Sequence, residues 1–244
     1  VLPTEAEAVD LLAAVKNEEI EAPVEEAIRE NLVEVAPKAG KIKKVTTNQT
    51  LGTTEWTLSN GVRVVIKPTE FKQDEILFSA FSKGGQSLVA TEDLVSAALA
   101  TDVISVSGIA DMTMTDLQKA LTGKNISLSP SINANTESIE GGTTVKDLET
   151  LLQLNYLYFT APRRDENAYA MLMSVLESQL ANRDKNPKVA FSDSVSMMAN
   201  NYSPRTVIFN QEALTHADLD KSLEIYKARF ANPADFIFTF VGNV

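Results

Sequence analysis

The fold of this chain is decided by the stretch Thr54-Glu-Trp-Thr-Leu-Ser-Asn-Gly-Val-Arg-Val-Val-Ile-Lys67, which is followed by Phe78-Ser-Ala-Phe-Ser-Lys-Gly-Gly-Gln-Ser-Leu88. In the first stretch, apolar and polar residues alternate on both sides of Asn60-Gly61, a dipeptide that suits the φ > 0 positions of a tight hairpin turn. The two-residue period returns at Ile76, Phe78 and Ala80. The sequence therefore predicts a β-hairpin and then a third strand, which ends at Gly84-Gly85.

The residues after the glycine pair mix helical and strand patterns. Two strands are predicted in the middle of this part and one at its end, with helices between them. The predicted helices begin near Thr91, Thr115, Thr144, Asp165, Asn186 and Thr215, and the predicted strands cover Asn125–Ile132, Ser138–Thr144 and Phe236–Val244. Helices grouped between blocks of strands are typical of an α+β two-layer sandwich, here with a mixed, mostly antiparallel sheet packed against helices.

The first fifty residues differ from the rest in charge and in pattern. Residues 1–34 contain ten acidic side chains against Lys16 and Arg29. Thr4 suits the start of one amphipathic helix and Pro23 the first turn of a second, whereas residues 38–50 are polar and show no apolar period. We therefore expect a helical connector and linker over residues 1–50 and one α+β domain over residues 51–244.

The composition excludes several classes of function. The formal net charge is −11, whereas nucleic acid and anionic membrane surfaces require clustered Lys and Arg. No run approaches about 20 apolar residues, so we expect no membrane insertion, and the absence of cysteine excludes disulfides. The chain does not begin with Met and shows no signal-peptide pattern. We therefore expect an internal piece of a longer protein, for which a missing signal peptide gives no information on compartment.

The stretch from Thr54 to Leu88 resembles the opening of a domain in the pitrilysin/insulinase family of zinc peptidases. The end of the chain, Phe236–Val244, is similar to the last strand of such a domain, so the resemblance runs from about Thr54 to Val244. It implies the metallohydrolase fold that LuxS shares with the mitochondrial processing peptidase. Residues 1–50 resemble the connector that joins the two halves of single-chain members.

The chain departs from this family at the position of the zinc motif. In active members the helix after the glycine turn carries His-x-x-Glu-His, in which two histidines bind Zn²⁺ and the glutamate activates the bound water. The equivalent residues here, 91–108, contain no histidine, and His216 is the chain's one imidazole. The resemblance therefore implies a non-catalytic domain of the C-terminal half, with no metal or other cofactor of its own and zinc in the parent's catalytic domain.

Three single residues and one glycine pair remain as candidates for chemistry. His216 is expected to be a solvated surface histidine, and Asp102, in the helix that replaces the zinc helix, a structural residue. By the family's spacing Glu177 matches a third zinc ligand, but it falls beside the apolar stripe of its helix, which favours a solvated glutamate. Gly84-Gly85 is either a turn that needs φ > 0 or a place where a substrate backbone approaches closely, and we predict it as the substrate-binding position.

The family resemblance implies that this chain functions together with another domain of its parent protein. We expect this chain to be inactive alone and to help enclose and position an extended peptide for a zinc-bearing catalytic domain of the parent, a metalloendopeptidase. Its partners would be that catalytic half, or a sister subunit, and the peptide. The alternative is a non-enzymatic structural core subunit or assembly domain of the same fold. The bacterial periplasm or cell envelope is the expected location.

Overall fold

The computed structural model describes residues 4–16, 29 and 31–244. In this part of the chain, seven strands form one sheet in the order β1-β2-β3-β7-β4-β6-β5. Five of the six strand pairs are antiparallel, and only β3 and β7 run parallel. The strands are β1 Ile42–Asn48, β2 Thr53–Leu58, β3 Arg63–Pro68, β4 Ile76–Lys83, β5 Ile126–Ile132, β6 Thr136–Thr143 and β7 Ile237–Gly242.

The β2–β3 hairpin has the turn that Asn60-Gly61 predicts. Gly61 has φ +90°, and the Leu58 N–H donates to the Val62 carbonyl at 2.8 Å. The alternation also sets the burial of β4, in which Ile76, Phe78 and Ala80 are buried while the residues between them are more exposed. One two-residue period thus specifies both the pairing of these strands and the face that reaches the core.

Strand β7 lies between β3 and β4, although it comes last of the seven in the chain. It pairs in parallel with β3 and antiparallel with β4, and so joins two groups of strands that are otherwise separate. Its Phe238 and Phe240 rings contact Phe78 at centroid separations of 6.3 and 5.1 Å. Phe159, from a helix on that face, lies 5.8 Å from Phe238. Such aromatic contacts bury large apolar areas, so they help to hold the helical layer on the sheet.

Helices form the second layer of the fold. The helices after β4 are α2 Leu94–Ser107, α3 Met114–Ala120, α4 Leu148–Thr160, α5 Glu166–Leu180, α6 Pro187–Ala199, α7 Gln211–Leu214 and α8 Leu219–Arg229. Helix α1, Glu5–Lys16, precedes the sheet, and its Val9, Leu12 and Val15 are exposed. Among the described helices, none has the length and apolar character needed to cross a membrane. The α+β prediction, with a mixed, mostly antiparallel sheet against helices, is confirmed.

Residue 29 and residues 31–33 contact the domain. Leu32 is 4% exposed and belongs to the core, and its N–H and that of Val33 both donate to Gln153 Oε1 on α4. The Arg29 guanidinium donates to both carboxylate oxygens of Asp111, at 2.9 and 2.5 Å. The predicted helix at Pro23 lies outside the described residues, and the division of the chain at residue 50 stays a prediction.

Four local predictions are wrong. Residues 42–48 form β1 and not a linker, because their polar side chains are exposed and leave no apolar period. Thr91 opens a 3₁₀ turn, Thr91–Asp93, and α2 begins only at Leu94. The cap of α3 is Thr113, whose side chain and that of Asp116 form a capping box. Helix α7 was not predicted, and four residues are too few to show a period.

Candidate functional site

The glycine pair at the end of β4 has a conformation that favours glycine at both positions. Gly84 has φ +147° and Gly85 has φ +58°. A Cβ at Gly85 would overlap the carbonyl oxygen of Asn133 and would lie 2.5 Å from the main-chain nitrogen of Thr136. The close approach that requires glycine is therefore made by the β5–β6 turn of the same chain.

Main-chain hydrogen bonds fix this contact between the glycine pair and the β5–β6 turn. The Gly84 N–H donates to the Asn135 carbonyl at 2.8 Å, and the Gln86 N–H donates to the Asn133 carbonyl at 2.8 Å. Residues 85–88 continue as one 3₁₀ turn. The end of β4 and the turn after β5 thus form one rigid corner of the sheet.

A buried carboxylate lies at this corner. Glu137 is 3% exposed, and its Oε2 accepts a hydrogen bond from the Gly85 N–H at 2.5 Å. Buried carboxylates need such donors, because removing a charge from water is costly. Sequence reasoning missed this residue, because Glu137 falls between the predicted strands Asn125–Ile132 and Ser138–Thr144. The structure places it in β6 opposite Ile132, where a polar residue next to a turn gives no periodic signal.

Arg205 ties the segment between the glycine pair and α2 to a distant loop. Its guanidinium donates to the Gln86 carbonyl at 2.6 Å and to the Val89 carbonyl at 3.0 Å. A third, longer bond of 3.4 Å reaches Thr91 Oγ1. Arg205 therefore positions main chain in this structure, because its donors are directed at carbonyl groups of the fold.

Helix α2 is the first α-helix after the glycine pair, where the resemblance places a zinc helix, and it is buried on most of its surface. Its buried residues are Leu94, Val95, Ser96, Ala97, Leu99, Ala100, Val103, Ile104 and Ser107. Asp102 reaches solvent at the side of the helix, yet the surrounding protein desolvates its carboxyl group and raises its pKa. The helix thus presents apolar and small side chains, and its sequence contains no histidine.

The other candidate ligands lie apart. His216 is exposed in the turn between α7 and α8, not inside a helix as predicted, and it lines an open cavity of about 400 Å³ with Glu92 and Glu212. Glu177 is exposed on α5. In the described ranges, no three or more His, Cys, Asp or Glu side chains are grouped so that they could hold a metal ion. The donors present do not fit the zinc site of active pitrilysin-type domains.

Comparisons with known proteins agree with the resemblance to zinc peptidases. No protein-family model matches the chain. It is 28% identical over 225 residues to the zinc protease PQQL-like of Arabidopsis thaliana, a match that covers 90% of this chain and 21% of that protein. The chain spans about a fifth of the length of the curated relatives it matches.

Solved structures share the fold. The periplasmic protease PqqL from Escherichia coli aligns with a TM-score of 0.76 at 22% identity, over 99% of this chain and 26% of that chain. The peptidase M16 inactive domain from Pseudomonas fluorescens aligns with a TM-score of 0.61 at 12% identity, over 80% of this chain and 47% of that chain. These structures show the fold of a peptidase M16 domain, M16 being the pitrilysin/insulinase family.

Proposed function

We propose that this chain, a relative of PqqL-type zinc proteases with the fold of a pitrilysin/insulinase-family domain, is a non-catalytic domain of a larger zinc protease. In this role it helps to enclose an extended peptide and to position it for a zinc-bearing domain elsewhere in the parent. The observation that supports the proposal is α2, the first α-helix after the glycine pair, which contains no histidine where the resemblance implies His-x-x-Glu-His.

The physical basis of this role is positioning. A domain that holds a peptide in a fixed orientation lowers the barrier of a reaction to which it contributes no reacting group, because it reduces the entropy lost in the reaction step. The chain corresponds to 26% of the E. coli PqqL chain, so the remainder of a parent of that size could supply the zinc and the catalytic groups. Zinc in the parent and the peptide substrate are both part of this proposal.

Gly84 and Gly85 keep a place in the proposal, with an indirect role. Their close contact is with the β5–β6 turn, so we assign them to the shape of this corner of the sheet and not to direct contact with the substrate. The periplasm or cell envelope is the proposed location, in line with the periplasmic protease PqqL.

Reconstitution tests the proposal. The parent's catalytic half and this chain are purified separately, and turnover of a quenched peptide is measured for each alone and for the mixture. We expect turnover by the mixture only, with zinc bound in the catalytic half. Zinc-dependent hydrolysis by this chain alone would overturn the proposal. Assembly without any gain in turnover would favour the structural core subunit, as would a parent without His-x-x-Glu-His.

A further inference from the structure

The two edges of the sheet, β1 and β5, differ in their capacity to accept another strand. An edge strand presents main-chain N–H and C=O groups to solvent, and an extended segment can pair with them. Both edges lie in the described part of the chain, so the main-chain groups that each one presents can be identified from the register of its ladder.

Strand β5 is closed to strand addition at its centre. The Asn133 N–H donates to the Thr136 carbonyl at 2.7 Å, so the odd-numbered residues of β5 bond to β6 and the even-numbered ones face the edge. Pro130 is one of the latter and has no N–H to donate. The outward carbonyl of Ile132 accepts a hydrogen bond from Gln86 Nε2 at 3.3 Å. A peptide along β5 would therefore find no N–H donor at Pro130 and would find the Ile132 carbonyl already bonded.

Strand β1 meets no such obstacle from the residues that the structure describes. Because the Leu58 N–H bonds to Val62 in the hairpin, the even-numbered residues of β2 bond to β3 and the odd-numbered ones bond to β1. The Ser59 N–H donates to the Lys41 carbonyl at 2.7 Å, in agreement with this alternation. The register and the bulge after Ile42 then leave outward main-chain groups at Ile42, Val45 and Thr47.

The side chains of this edge indicate what it would bind. All seven residues of β1 are exposed, and Lys41, Lys43 and Lys44 are clustered at one end of it in a chain with a net charge of −11. Glu55, on the neighbouring strand, is already bonded to Arg63 at 2.8 Å. Lys44 also interacts electrostatically with Glu55, so it is mainly the charge of Lys41 and Lys43 that is available to an acidic partner. A second copy of this chain would instead bring two lysine-bearing edges together.

We propose that β1 is a docking edge that adds an extended, acidic segment of a partner polypeptide to the sheet as an eighth strand. The main-chain groups of Ile42, Val45 and Thr47 supply the pairing, and the lysines select acidic sequences. This inference goes beyond the proposed function and does not depend on it, because it requires no catalytic domain and no peptide cleavage.

The test uses the full 244-residue chain and a blocked eight-residue peptide of alternating glutamate and valine. Binding is followed by the emission of Trp56, the chain's one tryptophan, which lies opposite Val45. A matched peptide has lysine in place of glutamate. We expect the acidic peptide to bind at least about 10-fold more tightly than the basic one, with an affinity that falls as salt is added.

A pair of variants isolates the main-chain pairing. Thr47→Pro removes one outward N–H and should weaken binding at least about 10-fold, whereas Thr47→Val keeps the N–H and should bind like the wild type. Two further peptides carry N-methyl groups, one on its odd-numbered residues and the other on its even-numbered residues. Only the peptide whose N-methyl groups replace the N–H donors directed at β1 should lose binding, which tests the same pairing without changing the protein. Equal binding of both variants, equal binding of both N-methylated peptides, no preference for acidic sequence, or self-association through β1 would each overturn the proposal.

Discussion

Gly85→Ala tests whether the corner between the glycine pair and the β5–β6 turn is as crowded as the structure indicates. Two costs add at this position. A left-handed conformation costs an alanine about 1–2 kcal/mol. The added Cβ would overlap the Asn133 carbonyl and crowd the Thr136 nitrogen, and both are main-chain atoms that move only with the turn. Overpacking of this kind typically costs about 1–3 kcal/mol. We therefore expect a loss of about 2–5 kcal/mol in the free energy of unfolding.

The matched control is Gly123→Ala. Gly123 also has a positive φ, +78°, but a Cβ there would have no atom within 4 Å. This variant carries only the conformational cost, and the change in unfolded-state entropy is common to both replacements. For a chain of this size, 1 kcal/mol corresponds to about 2–4 °C in Tm. The excess cost of about 2 kcal/mol should therefore place Gly85→Ala about 6 °C below Gly123→Ala in thermal melts followed by circular dichroism.

If the two variants melt within about 1 °C of each other, the turn does not press on Gly85 in the folded protein, and the structural explanation of the glycine pair is wrong. The same result would reopen the direct role in substrate binding, which a larger replacement such as Gly85→Val could then test without loss of folding.

Three further predictions concern bound zinc, the pairing of β1 with the rest of the sheet, and the pH dependence of stability. The purified chain should hold no stoichiometric zinc by elemental analysis, and near-equimolar zinc that is lost on changing His216 and Glu177 would contradict the site description. Limited proteolysis should cut in residues 37–41, which are exposed and outside helices and strands, and leave β1 on the large fragment; cleavage within β1 would show that it is not held by β2. Because burial raises the pKa of Asp102, its contribution to stability is complete below the unfolded pKa of about 3.9 and is lost as the pH rises through the folded pKa. Asp102→Asn should therefore melt higher than the wild type at pH 7, and the gain should shrink as the pH falls towards about 4; a gain independent of pH would exclude this cause.

Local pattern predicted those parts of the fold in which one face of an element is buried and the other is not. Strand β4 follows this rule, and α5, which is capped by Asp165, has one partly buried face. The β2–β3 hairpin was predicted from Asn60-Gly61 and its alternating sequence, although no residue within either strand is fully buried. Strand β1 escaped prediction because both of its faces are exposed, so that no alternation marks it.

Long-range contacts account for what the sequence could not predict at the candidate site. The absence of histidine from residues 91–108 can be seen in the sequence itself, because it concerns residue type alone. The neighbours of Gly85 could not, because Asn133 and Thr136 reach it only through the pairing of β4 with β6. Glu137 was missed for the same reason, because its donor is the main chain of Gly85, more than 50 residues away in sequence.

The position of β7 has a consequence for how this protein reaches its fold. The β2–β3 hairpin and the β5–β6 hairpin can each form from neighbouring residues, but β3 and β4 are connected only through a strand that lies far along the chain from both. A chain in which β7 has not yet inserted would expose the unpaired edges of β3 and β4, and long-range pairing of this kind is slow. Aggregation during refolding should therefore compete with the insertion of β7, and a chain with a weakened β7 should accumulate as an associated intermediate before it loses its hairpins.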